Sequence, residues 1–145
     1  MAEIILSNRM QALTDMVTPG TVITDVGCDH GFVSVYLVQK GISPRVIAMD
    51  VRSGPLEHAR EHIREYGLED RIETRLSDGL HSLKTGEAAG MICAGMGGPL
   101  MEKILTEGRE QAKGFRELIL QPQSEIPHFR TFLMEEGYLL MDENI

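Results

Sequence analysis

At 145 residues the chain is long enough to bury one core of its own, and its 42% hydrophobic and 25% charged content is ordinary for a globular domain. The formal net charge of −8 argues against a generic nucleic-acid binder, because phosphate contacts need lysine and arginine; the fourteen Lys and Arg still leave room for a local basic patch. No apolar run approaches a membrane span, no leader pattern opens the chain, and two cysteines without motif spacing fit neither a disulfide framework nor a zinc site. A cytoplasmic protein with no membrane segment and no metal is therefore expected.

Ser7 is a candidate N-cap for a short amphipathic helix carrying Met10, Leu13 and Val17 at helical spacing. Arg9 on that helix reads as a surface residue, although it could reach a ligand. Thr18-Pro19-Gly20 is a turn. Val22, Ile23 and Val26 then predict a buried strand that breaks at Gly27 and feeds without a spacer into a helix at Phe32. That helix, ending at Gly41, is apolar nearly all round and is expected to be well buried. A second strand over 45–51 carries Asp50 at its end. Ser53 is the expected cap of the next helix, which presents Leu56, Ala59, Ile63 and Tyr66 on one face and stops at Gly67. Ile72, Thr74 and Leu76 alternate in a third strand at or near the sheet edge, followed by Ser77-Asp78-Gly79. A fourth strand over 88–94 exits into Gly95-Met96-Gly97-Gly98, and Pro99 opens the helix after it. A fifth strand over 115–120 exits into Gln121-Pro122-Gln123. Ser124 is the expected cap of a last helix, and 138–141 read as the start of a sixth strand.

Such alternation predicts an α/β fold: a Rossmann-like, doubly wound, mostly parallel sheet with right-handed crossovers. In that fold the strand ends Gly27–Gly31, Asp50, Asp78-Gly79 and Gly95–Gly98 lie along one edge, where ligands bind. A strand running into a helix N-terminus offers outward backbone N–H groups there. Asp50 lies about 23 positions beyond Gly27, close to the spacing at which an acid meets ribose hydroxyls. Asp78 could accept from an adenine amino group; its plainer role is a turn residue. Asp29 stands where a dinucleotide site prefers the second glycine of G-x-G-x-x-G. A negative charge there opposes a pyrophosphate. It suits S-adenosylmethionine, which has no phosphate and carries a sulfonium and an ammonium that Asp25 and Asp29 could meet.

D-V-G-C-D-H-G (25–31), the L-S-N-R-M start, A-G-M-G-G (94–98) and L-Q-P-Q (120–123) together resemble the bacterial tRNA (adenine-22-N1)-methyltransferase family, in order and over nearly the whole chain. The resemblance implies a class I S-adenosylmethionine-dependent enzyme that methylates N1 of an adenine in tRNA. Its cofactor positions fall on Gly27, Asp29, His30, Asp50, Asp78, Gly79, Met96 and Gly97; Asp25, Gly31 and Gly95 complete the expected cofactor set. Two departures stand out. The family usually has Q-P-N where this chain has Gln121-Pro122-Gln123. The family also continues into a seventh strand and a C-terminal helical domain, which this sequence lacks. Residues 1–145 are thus expected to be the cofactor-binding domain of a longer enzyme, with the fifth strand left as an edge. Oligomeric state is not legible.

Adenine N1 needs little acid–base help, since its in-plane lone pair can attack the methyl group directly, so alignment and water exclusion would carry catalysis. The N/D-P-P-Y/F clamp of amino-directed methyltransferases is absent after the fourth strand, which weighs against N6 chemistry. Asp29, His30 and Gln121 are the catalytic candidates. With no Trp and few free aromatic side chains, RNA grip is poorly provided for. The rival readings are a non-catalytic S-adenosylmethionine-binding module and, with Asp29 against it, an NAD-dependent oxidoreductase.

Overall fold

In a computed structural model of the chain, which describes residues 3–143, five parallel strands form one sheet in the order β3-β2-β1-β4-β5. The strands are β1 (Ile23–Val26), β2 (Val46–Asp50), β3 (Ile72–Leu76), β4 (Gly90–Met96) and β5 (Glu117–Pro122). The helices are α1 (Asn8–Asp15), α2 (Phe32–Gln39), α3 (Ser53–Glu65), α4 (Gly98–Glu107), the one-turn α5 (Arg109–Ala112) and α6 (Ile126–Glu135). Among the described residues no helix is long and apolar enough to cross a membrane.

The central strands are buried on both faces because helices cover both. All described positions of β1 and β2 are buried. Ile23, Val46, Ala48, Ile92 and Ile119 face a core completed by α1, α2 and α3. Val26, Ile47, Met49, Met91 and Cys93 face a second core closed by α4 and α6. The near-continuous apolar run of α2 has its counterpart in burial, with Val35 and Leu37 fully inaccessible. Cys93 pairs with Val26, Cys28 lies in the turn just beyond β1, and both cysteines are free and buried.

Three local expectations are corrected. Ser53 is the first residue of α3, whose N-cap is Arg52. Ser124 likewise gives way to Glu125, which adopts φ +53° as the N-cap of α6. In neither case does a side chain bond the helix end. Third, 138–141 form no strand. The alternation is present: Tyr138 and Leu140 pack on the second core, while Leu139 and Met141 are exposed. What is missing is a ladder partner, because β5 is the sheet edge and pairs only with β4.

Candidate functional site

The carboxyl ends of the strands open into a cavity of about 610 Å³, within the roughly 300–1,000 Å³ usual for small-molecule sites. Ten of the expected cofactor residues line it: Asp25, Gly27, Asp29, His30, Asp50, Asp78, Gly79, Gly95, Met96 and Gly97. The eleventh, Gly31, does not. It caps α2 at φ +79°, and a Cβ there would stand 3.1 Å from Ala59 Cβ, so this glycine lets α2 and α3 approach.

Asp25 forms the floor. It follows Ile23 on the face of β1 that meets α2, and Ser34 of α2 donates its hydroxyl to Asp25 Oδ2 at 2.8 Å. The side chain is 5% exposed. Desolvation raises its pKa from 3.8 to about 6; the Ser34 hydrogen bond pulls it down, and the Asp50 and Asp29 charges push it further up. The neighbouring thiols shift the same way: burial pushes Cys28 far up, with the Asp25 charge adding to it, and takes Cys93 to about 12. Neither is a nucleophile at neutral pH.

Asp50 is 2% exposed at the end of β2 and accepts from the Asp29 amide (3.1 Å) and the Arg52 amide (2.9 Å). Arg52 Nε adds a contact at 3.4 Å. A carboxylate so held keeps further lone pairs for hydroxyl donors. Asp29, at φ +52°, is exposed, and its carboxylate lies 4.0 Å from Arg52 and 3.9 Å from His30. Its charge is therefore partly offset by Arg52, whereas buried Asp25 has no ion pair among the described residues.

The turn itself corrects the expectation of outward amides. Gly27 and Cys28 both donate to Met49 O (2.8 and 2.9 Å), Asp29 to Asp50, and Gly31 to Cys28 O (2.8 Å). Amides already bonded inside the protein cannot cradle a phosphate without breaking those bonds. This weighs against a pyrophosphate ligand more directly than Asp29 does. Gly27 is needed for another reason: at φ +74° it holds a left-handed backbone conformation that side-chain-bearing residues rarely adopt.

His30 sits in an aromatic stack rather than alone. Its ring lies 5.1 Å from that of His58 at 7°, and 5.8 Å from Phe32, while His62 Nδ1 bonds the His30 carbonyl at 2.7 Å. Gln121 lies outside the cavity wall. Its Oε1 accepts from the Gly95 amide at 3.1 Å, where β4 bulges against β5. Gln123, two residues on, is exposed and lines the cavity instead. Asp78, His81 and Glu107 bring ligand-type atoms within 4.8 Å of one another at an exposed edge. His81 Nε2 is already 3.1 Å from Glu107 Oε1. Sequence reading missed Phe32, Leu100 and Ile104 as wall residues, since each looks like ordinary packing in the chain, and passed over Ser77 as part of the polar segment after the third strand.

A parallel sheet in this order, with a buried acid at the end of β2 and a glycine turn after β1, is a Rossmann-like methyltransferase fold. Residues 6–145 match the family described as methyltransferase domain, and the chain belongs to that family. The resemblance read from the motifs is borne out. The chain is 37% identical over all of its 145 residues to the tRNA (adenine(22)-N(1))-methyltransferase of Bacillus subtilis, covering 61% of that protein. It superposes on the crystal structure of the B. subtilis m1A22 tRNA methyltransferase TrmK with TM-score 0.89 and 36% identity, over 97% of this chain and 60% of that one. The structure of M. capricolum TrmK in complex with S-adenosyl-homocysteine matches with TM-score 0.86 and 25% identity, over 97% of this chain and 65% of that one. The chain thus spans less than two thirds of the length of each.

Proposed function

We propose that the chain binds S-adenosylmethionine in this cavity and that the protein methylates N1 of an adenine in tRNA, at position 22 by analogy with its relatives. The observation that carries the reading is Asp25, a buried acid with no cationic side chain bonded to it among the described residues, lining a ligand-sized cavity. Such a group is costly to ionise until a cation arrives. Asp50 is the acceptor for ribose hydroxyls. Asp78 is the acceptor for the adenine amino group.

When bound, S-adenosylmethionine supplies an electrophilic methyl group on its sulfonium, which the adenine N1 lone pair can take. The protein's part is placement and exclusion of water. Met96, Leu100 and Ile104 give the cavity an apolar wall. Gln121 holds the Gly95 amide and so fixes the bulged loop that carries Met96. We assign Gln121 this positioning role and keep Asp29 and His30 at the mouth as groups able to contact the substrate; a carboxylate near the cationic N1-methyl product would stabilise it. The adenine must leave its stack to enter. Residues 1–145 fit the role of the cofactor-binding domain.

Incubating the chain with tRNA and methyl-labelled S-adenosylmethionine tests the reading. Label is expected on adenine N1, seen as a block to reverse transcription. Turnover is expected to be slow beside that of the longer Bacillus protein, since this acidic chain offers little RNA grip. Label on exocyclic N6, or turnover equal to that of the longer protein, contradicts one half or the other.

A further inference from the structure

An array of rings runs from the cavity wall onto the outer surface of α3. His30 and Phe32 line the cavity. Half-buried His62 of α3 stacks on Phe32 at 4.7 Å and 27°, and its Nδ1 bonds the His30 carbonyl at 2.7 Å. These three rings lie mutually within 6.0 Å. Gly31 makes the approach possible, because it lets Ala59 of α3 close on the turn. His58, four residues before His62 and on the same helix face, extends the array outward. Its ring lies 5.1 Å from that of His30 at 7°, nearly parallel. His58 is exposed, lies outside the cavity lining and meets no other ring among the described residues. The array therefore ends in a flat π-surface with one face open to solvent.

The chemistry around that face selects its partner. Glu57 and Glu61 neighbour His58 on α3, and Arg60 is spent on Glu57 and Thr74. The spot thus suits a flat ring rather than a phosphate. Base stacking on a planar side chain needs no cation, so it is a grip that a chain of net charge −8 can offer RNA. A base without a stacking partner is also what the reaction creates. When the target adenine leaves its stack, the next base of the strand is left with an open face at the cavity mouth. The open face of His58 lies one ring beyond His30 at that mouth.

We propose that His58, backed by His30, is a stacking platform for the RNA base next to the adenine that enters the cavity. This rests on the tRNA-methylation reading above and adds to it a substrate contact on α3. His30 bridges the two sites, with its ring both on the cavity wall and against His58.

The test is steady-state methylation of tRNA by the 145-residue chain, with S-adenosylhomocysteine calorimetry on the same variants. His58→Ala is expected to lower kcat/KM for tRNA about 5- to 100-fold, the range of one base stack, through KM. Its S-adenosylhomocysteine affinity should be unchanged, which also certifies that the variant is folded. His58→Tyr keeps a flat ring and should retain the parent kcat/KM, whereas His58→Leu, bulky but not flat, should fall with Ala. Two further substrates carry an abasic nucleotide immediately 5′ or immediately 3′ of the methylated adenine. One of them should cost the parent as much as His58→Ala does and cost the Ala variant nothing more. The inference is overturned if His58→Ala methylates as the parent does, if Leu serves as well as Tyr, or if both abasic tRNAs penalise parent and Ala variant equally. Parallel loss of S-adenosylhomocysteine affinity overturns it too, since His58 would then only prop the turn that carries His30. A parent chain that binds S-adenosylhomocysteine but leaves tRNA unlabelled instead contradicts the methylation reading, and the platform falls with it.

Discussion

Asp50→Ala is expected to weaken S-adenosylhomocysteine binding by about 100-fold or more, since two ribose hydroxyls lose a charged acceptor worth about 1.5–3 kcal/mol each. The carboxylate is 2% exposed and held by the Asp29 and Arg52 amides, so little reorganisation is needed to receive a ligand. Removing it also frees Arg52 from Asp50 and takes away the acceptor of the Asp29 amide, at a residue held at φ +52°. Asp50→Asn keeps one acceptor oxygen and should lose less. Isothermal titration of the two variants gives the order: parent, Asn, Ala. An Ala variant with parent affinity would move the ribose away from the end of β2.

Asp25→Asn is expected to act in opposite directions on stability and on binding. Burial raises the Asp25 pKa from 3.8 to about 6. The native chain therefore holds the proton more tightly than the unfolded one. The stability this contributes is complete below about pH 4 and is lost as pH rises through about 6. That interval corresponds to ~3 kcal/mol, an order-of-magnitude figure. An amide carries no such penalty and can still accept from Ser34. The ligand-free Asn variant should thus be about 1–3 kcal/mol more stable than the parent at pH 7.5, with the advantage fading toward pH 4. Binding runs the other way. A cationic ligand favours the ionised carboxylate, so parent affinity should fall as pH drops below about 6, and the Asn variant should bind about 10-fold or more weakly at pH 7.5. The loss should be larger for S-adenosylmethionine, with its sulfonium, than for S-adenosylhomocysteine. Urea unfolding and titration calorimetry across pH measure the two halves. A variant both less stable and weaker in binding would mean that Asp25 is a structural acid.

Much of this site was legible because a parallel sheet converts sequence order into position. Once Thr24, Ile47 and Met91 lie in adjacent strands, the residues beyond their strands' ends must share an edge. That is why Asp25, Gly27, Asp50, Asp78 and Met96 could be grouped from spacing alone. What escaped depends on contacts between distant segments. The Gly95 bulge sets which glutamine turns inward: Gln121 spends its carbonyl on the Gly95 amide, and Gln123 meets the cavity. Arg9 looked like a surface residue but lines the cavity, because nothing in the sequence fixes where α1 docks. The amides of the turn after β1 read as free, but β2 takes two of them through Met49 O. Tyr138 to Met141 had the period of a strand without a neighbour to pair with.

The central claim is that the edge of this sheet receives an adenosine compound with a positive end and no phosphate. Titrating the chain at pH 7.5 with S-adenosylhomocysteine and, separately, with NAD tests it most directly. Saturable uptake of one equivalent of S-adenosylhomocysteine, with no heat from NAD, is the expected result. Uptake of NAD with indifference to S-adenosylhomocysteine would contradict it.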